Sequence, residues 1–175
     1  MLPINLSIVI PIYNAECFIE KCLDSILSES DQTVEVILID DCSTDKSFSI
    51  CLDMASSDSR IKIFKNEINS GVSFSRSQGI NMAIGKFIMF VDADDFLVEG
   101  WFKRVSSTLE TLVNSDYIIF SSSLDEKIDN TELINAILGF NQRCNISGVC
   151  SKLFRSQFLH DNNLTKMPDV IHGED

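Results

Sequence analysis

Two acidic clusters, Asp40-Asp41 and Asp92-Ala93-Asp94-Asp95, each follow a run of apolar residues, Val34 to Ile39 and Phe87 to Val91. Side chains alternate along a strand, so the Asp-x-Asp spacing of Asp92 and Asp94 puts two carboxylates on one side as the chain leaves it. Carboxylates packed together raise one another's pKa and cost stability unless a cation or a set of donors sits among them. Hard oxygen ligands in that arrangement suit Mg2+ or Mn2+. The plainer reading is a capped turn into the next helix, for which Asp is also favoured. A second acidic pair at a neighbouring strand end weighs toward the cation.

Pro11-Ile12-Tyr13-Asn14 follows the first apolar run. Pro and Asn are ordinary turn formers, and Tyr13 alone reads as a core aromatic. Beside carboxylates, an exposed tyrosine offers a stacking face for a nucleobase, and Asp40 offers an acceptor to a base or ribose. In the segment from Asn69 to Gly79, Gly71 stands at a helix entrance, where backbone amides can approach an anion. Arg76, about one and a half turns further on, carries a forked donor suited to phosphate. An isolated surface arginine is the alternative, but the acidic edge calls for a counter-charge.

The elements that must position these groups follow from periodicity. Short β-branched runs alternate with longer segments of helical spacing, the pattern of βαβ units around a mainly parallel sheet in an α/β fold. Strands are expected at Leu6 to Ile10, Val34 to Ile39, Ile61 to Phe64, Phe87 to Val91 and Tyr117 to Phe120. Asn14 is expected to cap a helix with Phe18, Cys22, Ile26 and Leu27 on its apolar face, and Ser43 with Thr44 to cap one through Ile50, Leu52 and Met54. Gly71 opens a helix carrying Val72, Ile80 and Ala83, and a fourth runs from about Gly100 to Val113. Beyond Ser121 the pattern weakens, with Thr131 to Leu138 helical and Ser147 to Phe154 extended. Ligands of open parallel sheets bind beyond the carboxyl ends of the strands, so five carboxylates are expected at one edge.

Composition bounds the function. A chain of 175 residues, 45% hydrophobic and 23% charged, is expected to form one globular domain that folds without a disulfide or metal staple. Fourteen basic against twenty-six acidic side chains give a net charge of −12, which argues against nucleic acid as a partner. A small phosphate ligand stays compatible, because a metal held by carboxylates reverses the local field. The six cysteines contain no Cys-x-x-Cys pair and read as reduced thiols. With no basic n-region and no spanning apolar run, the expected location is cytoplasmic, with peripheral membrane association allowed. The ending Gly173-Glu174-Asp175, directly after a polar cluster, reads as either a C-terminal truncation or a short natural form.

Taken together, Ser7 to Asn14, Ile39-Asp40-Asp41-Cys42-Ser43-Thr44-Asp45, Asn69-x-Gly71 with Arg76 and Gly79, and Phe90-Val91-Asp92-Ala93-Asp94-Asp95 resemble the family-two glycosyltransferases of GT-A fold in order and spacing. Lys152-Leu153-Phe154-Arg155 and Gly173-Glu174-Asp175 resemble that family's later motifs. The resemblance implies a GT-A-type, Rossmann-like α/β/α sandwich, with 1–95 the nucleotide-binding half and 96–175 the start of the acceptor-side half. It implies an inverting transfer from a nucleotide-sugar, UDP-linked, to a hydroxyl of a glycan or lipid-linked acceptor. By the same resemblance Pro11 and Tyr13 line the base site, Asp40 bonds the base, and Arg76 lies near the pyrophosphate. Asp92 then lies near ribose, Asp94 on the Mn2+ or Mg2+ bridging the phosphates, and Asp175 is the catalytic base. His172 reads as a local turn residue. The chain departs from the family at Ser75-Arg76-Ser77-Gln78-Gly79, where members commonly read Ala-Arg-Asn-x-Gly. Competing readings are a non-catalytic nucleotide-sugar module and a haloacid-dehalogenase-like phosphatase. The latter expects Asp-x-Asp after the first strand; a nicotinamide oxidoreductase would need a glycine before Gly71.

Overall fold

Leu6–Ile12 (β1) and Val34–Asp40 (β2) are buried along their whole length, as near-continuous apolar strands covered on both faces must be. The structure, a computed structural model, describes residues 3–111, 116–119 and 152–163. Its remaining elements are α1 (Ile19–Leu27), α2 (Ser47–Ser57), β3 (Ile61–Lys65), α3 (Val72–Met82), β4 (Phe87–Phe90), α4 (Trp101–Thr111), β5 (Tyr117–Ile119), β6 (Lys152–Arg155) and α5 (Ser156–Asp161). The sheet order is β3-β2-β1-β4-β6-β5. The first four strands run parallel, β6 is antiparallel to β4, and β5 is antiparallel to β6. The α/β sandwich with a mainly parallel sheet is as the sequence indicates.

Alternation along the strands divides the core. Leu6, Ile8, Ile10 and Ile12 pack with Val36, Leu38 and Met89 under α1, α2 and α4, whereas Val9, Ile37, Ile39, Ile88 and Phe90 pack under α3 and α5. On α1 the buried stripe is Ile19, Cys22, Leu23 and Ile26, a helical face. Phe18, expected on that face, precedes the helix and is 53% exposed. Asn14 does not cap α1 either. It sits at φ 50°, and its Oδ1 accepts from the Thr44 amide at 2.9 Å, tying the loop after β1 to the loop after β2. Nor do Ser43 and Thr44 cap α2, whose N-cap position is Lys46; just ahead of it Asp45 Oδ1 accepts from the Ser47 amide and hydroxyl, while the Ser43 hydroxyl accepts from the Asn14 amide. Helix α5 was not legible in sequence; Thr131 to Leu138 and most of Ser147 to Phe154 lie outside the described residues.

α3 approaches β1 closely because Gly79 has no side chain. A Cβ there would overlap Cγ1 of Val9, a branched side chain on the central strand. Gly79→Ala is therefore expected to destabilise the fold, since overpacking costs about 1–3 kcal/mol against about 1 kcal/mol gained in helix propensity. A urea midpoint equal to or above that of the unaltered protein would show that α3 can lift without cost.

Below the same helix lies a buried polar knot. Glu35, 2% exposed, accepts at Oε1 from the Ser7 hydroxyl at 2.5 Å and from the Ile84 amide at 2.8 Å, and at Oε2 from Lys62 Nζ at 2.6 Å. The Ser7 hydroxyl in turn accepts from the Gly85 amide. Three strands and the α3–β4 turn are thus joined. Cys17, Cys22, Cys42 and Cys51 are free thiols. Among the described residues no helix is long and apolar enough to cross a membrane.

Candidate functional site

The strand order reverses beside β1: β2 and β3 extend to one side, and the chain then returns to form β4 on the other. This is the switch point at which a crevice opens beyond the carboxyl ends. The β1–β4 ladder stops at Val9 and Phe90, whereas β1 remains paired with β2 as far as Ile12 and Asp40. Pro11, which carries no amide hydrogen, sits just past the last β4 pair, a place where a central strand tolerates it. The opening is a cleft of about 280 Å3 lined by Pro11 and Tyr13 on one side and Asp92 and Asp94 on the other. Tyr13 is 51% exposed, as a stacking face requires.

The lining also includes Ala15, Phe18 and Val72, which sequence reasoning did not select. The spacing of Phe18 predicts a core position, yet the residue is exposed. Val72 is presented because Gly71, at φ 88°, turns the chain sharply into α3. A larger hollow of about 330 Å3 lies at the opposite edge, between Leu6, Phe87 and Phe102, and contains none of the candidate residues. Volume alone would have selected the wrong place.

The five carboxylates do not act as one cluster. Asp41, 3% exposed, accepts from Asn66 Nδ2 at 2.7 Å, the Ser70 amide at 2.9 Å and the Gly71 amide at 2.6 Å. The amides at the entrance of α3, expected to meet an external anion, are thus taken by a carboxylate of the chain itself. Asp40, the residue before it, is fully buried and lies outside the cleft lining. Its Oδ2 accepts from the Ser43 amide at 3.2 Å and pairs with Lys65 Nζ at 3.5 Å, while its buried Oδ1 meets no donor among the described residues. An unmet buried acceptor is costly, so a ligand donor reaching it would be well rewarded.

Three carboxylates remain beside the cleft. Asp92 accepts from Arg76 Nη2 at 2.7 Å, and the turn that follows is closed by the Asp95 amide donating to the Asp92 carbonyl. Burial, then the charges of Asp92 and Asp94, push the Asp95 carboxyl above its ordinary value. Burial, then the charges of Asp95, Asp94 and Asp92, push the Cys22 thiol, beneath this turn, up to about 12. The turn therefore carries more negative charge than Arg76 offsets. Among the described residues no group of three or more His, Cys, Asp or Glu is placed to hold a metal ion. Mg2+ needs only one or two carboxylates when phosphate oxygens and waters complete its shell, so Asp94, in the cleft lining, fits an ion that arrives with a diphosphate. Asp175 and His172 lie outside the described residues.

Residues 7–155 match the family model described as Glycosyl transferase family 2. The Bacillus subtilis protein described as an uncharacterized glycosyltransferase, EpsJ, is 40% identical over 110 residues, 63% of this chain and 31% of that protein. The GalNAc(5)-diNAcBac-PP-undecaprenol beta-1,3-glucosyltransferase of Campylobacter jejuni is 33% identical over 128 residues, 72% of this chain and 40% of that protein. The chain thus spans well under half the length of these relatives. The crystal structure of S. aureus TarS in complex with UDP-GlcNAc superposes with a TM-score of 0.70 at 24% identity, covering 91% of this chain and 47% of that one.

Proposed function

This chain belongs to glycosyl transferase family 2, and from that premise we propose that its cleft binds a UDP-sugar and transfers the sugar, with inversion, to a hydroxyl of a glycan or lipid-linked acceptor. The observation that carries the reading is the cleft at the β1–β4 switch point, which an exposed tyrosine and two carboxylates line together. The solved complex of the similar fold holds UDP-GlcNAc, and one relative is named for an undecaprenol-linked acceptor. A haloacid-dehalogenase-like phosphatase is set aside, because the Asp-x-Asp follows β4 and the family match spans the motifs.

In this reading Tyr13 stacks on the base against Pro11, Asp40 accepts from the base, and Asp92 accepts from the ribose. Asp94 would hold Mg2+ or Mn2+, which would offset the charge that develops on the departing diphosphate. Asp175 removes the proton of the acceptor hydroxyl on the face opposite the leaving group. The site of action is then cytoplasmic, at the membrane surface when the acceptor is lipid-linked.

The test is thermal stabilisation by a panel of nucleotide-sugars with and without Mn2+, since a ligand that binds the folded state stabilises it in proportion to ln(1 + [L]/Kd). UDP-sugars are expected to raise Tm, and Mn2+ to enlarge the effect. Asp94→Asn should retain the metal-free shift and lose the enhancement. Equal UDP affinity in EDTA and in Mn2+ would remove the metal from the reading. Binding without donor hydrolysis or transfer would favour a nucleotide-sugar binding module.

A further inference from the structure

Arg76 stands behind the cleft rather than in its lining. Its side chain is 14% exposed, against 40% for Asp92, and its Nη2 donates to Asp92 Oδ1 at 2.7 Å. A guanidinium can grip a carboxylate with two parallel bonds. Here one is made: the buried Nε of Arg76 has no partner, and Asp92 Oδ2 has no protein donor among the described residues. A carboxylate pinned at one oxygen, with the other open beside a cleft it helps to line, is arranged to accept a hydrogen bond from a ligand hydroxyl.

Resting on the reading of the cleft as a nucleotide site, we propose that Arg76 is a positioning residue that acts through Asp92. It fixes the carboxylate so that the open oxygen accepts a ribose hydroxyl, and it thereby makes the cleft selective for ribonucleotides. Three acidic side chains crowd this turn, and without the guanidinium the Asp92 side chain would swing away from Asp94 and Asp95. Restraining it before the ligand arrives removes an ordering cost from binding. A hydroxyl bonded to an ionised carboxylate also discriminates strongly against a ligand that lacks it, because the acceptor is then left desolvated and unpaired.

The experiment is NMR titration of the chain with uridine, 2′-deoxyuridine and 3′-deoxyuridine in EDTA, and with UDP in Mg2+. The unaltered protein is expected to bind uridine about tenfold tighter than one of the two deoxynucleosides, the usual consequence of losing a bond to a charged group. Arg76→Gln should bring that ratio near one and weaken uridine and UDP by the same factor. Arg76→Lys, which keeps a donor, should restore part of the ratio. Asp92→Asn should erase it independently, and the double variant should bind no more weakly than Asp92→Asn alone. Weaker UDP with unchanged uridine in Arg76→Gln would make Arg76 a phosphate contact and overturn the proposal. An equal loss for uridine and both deoxynucleosides would also overturn it, as a general structural effect. If the unaltered chain bound no uracil nucleoside or nucleotide, the nucleotide reading of the cleft would fail, and this proposal with it.

Discussion

Replacing Asp175 by asparagine is expected to lower sugar transfer by about 10²–10⁴-fold while leaving UDP affinity unchanged, the loss typical of a general base. Asp175 is proposed for this role because it matches the aspartate of the family's Glu-Asp pair, and because four of the five carboxylates at the strand ends are otherwise committed. Asp41 is consumed by three donors at the entrance of α3, Asp40 is buried, Asp92 is paired with Arg76, and Asp94 is proposed for the metal. An oxygen bound to a cation is a poor proton acceptor, so the base must come from elsewhere. The measurement is single-turnover transfer from a UDP-sugar, beside calorimetric titration of UDP. Transfer at the unaltered rate by the Asn variant would remove Asp175 from the mechanism; loss of UDP affinity together with rate would place it in the donor site.

The second large effect concerns stability. Glu35→Ala is expected to cost about 2–4 kcal/mol, because it strips the partner from a buried hydroxyl and from a backbone amide while leaving a void between strands. Lys62 is 42% exposed and can turn to solvent, so the ion pair itself accounts for little of this loss. The donors that cannot follow it are the Ser7 hydroxyl and the Ile84 amide. Glu35→Gln keeps an acceptor and should lose less. Denaturant midpoints decide the matter, and a cost below about 1 kcal/mol for Glu35→Ala would show that water replaces the carboxylate without penalty.

Glu35 and Asp41 mark a boundary in what a linear pattern reveals. Both stand in or beside apolar strand sequence, and a carboxylate there reads as an edge or a ligand. That Glu35 is satisfied by Ser7, Ile84 and Lys62 depends on the pairing of β1 with β2 and on a turn forty-nine residues away. That Asp41 faces α3 while Asp40 turns beneath the surface follows from the pleat, yet which of the two meets a partner depends on where the next helix is laid. The same limit applies to Phe18. Its spacing fits the buried stripe of α1, but the helix begins one residue later, and the ring is left at the cleft mouth.

The sequence by itself determined the alternation of strands and helices, the mainly parallel sheet, and the family, because apolar period, β-branching and the linked motifs are local or ordered along the chain. It also determined that Pro11, Tyr13, Asp92 and Asp94 share one edge, since the carboxyl ends of parallel strands must lie together. Only the tertiary structure decided which of five carboxylates remain beside the cleft, that Arg76 is held by Asp92, and that Phe18 and Val72 join the lining. These depend on distances between residues far apart in the chain. Such distances are set when helices settle on the two faces of the sheet, and the competition among donors for each carboxylate is resolved only there.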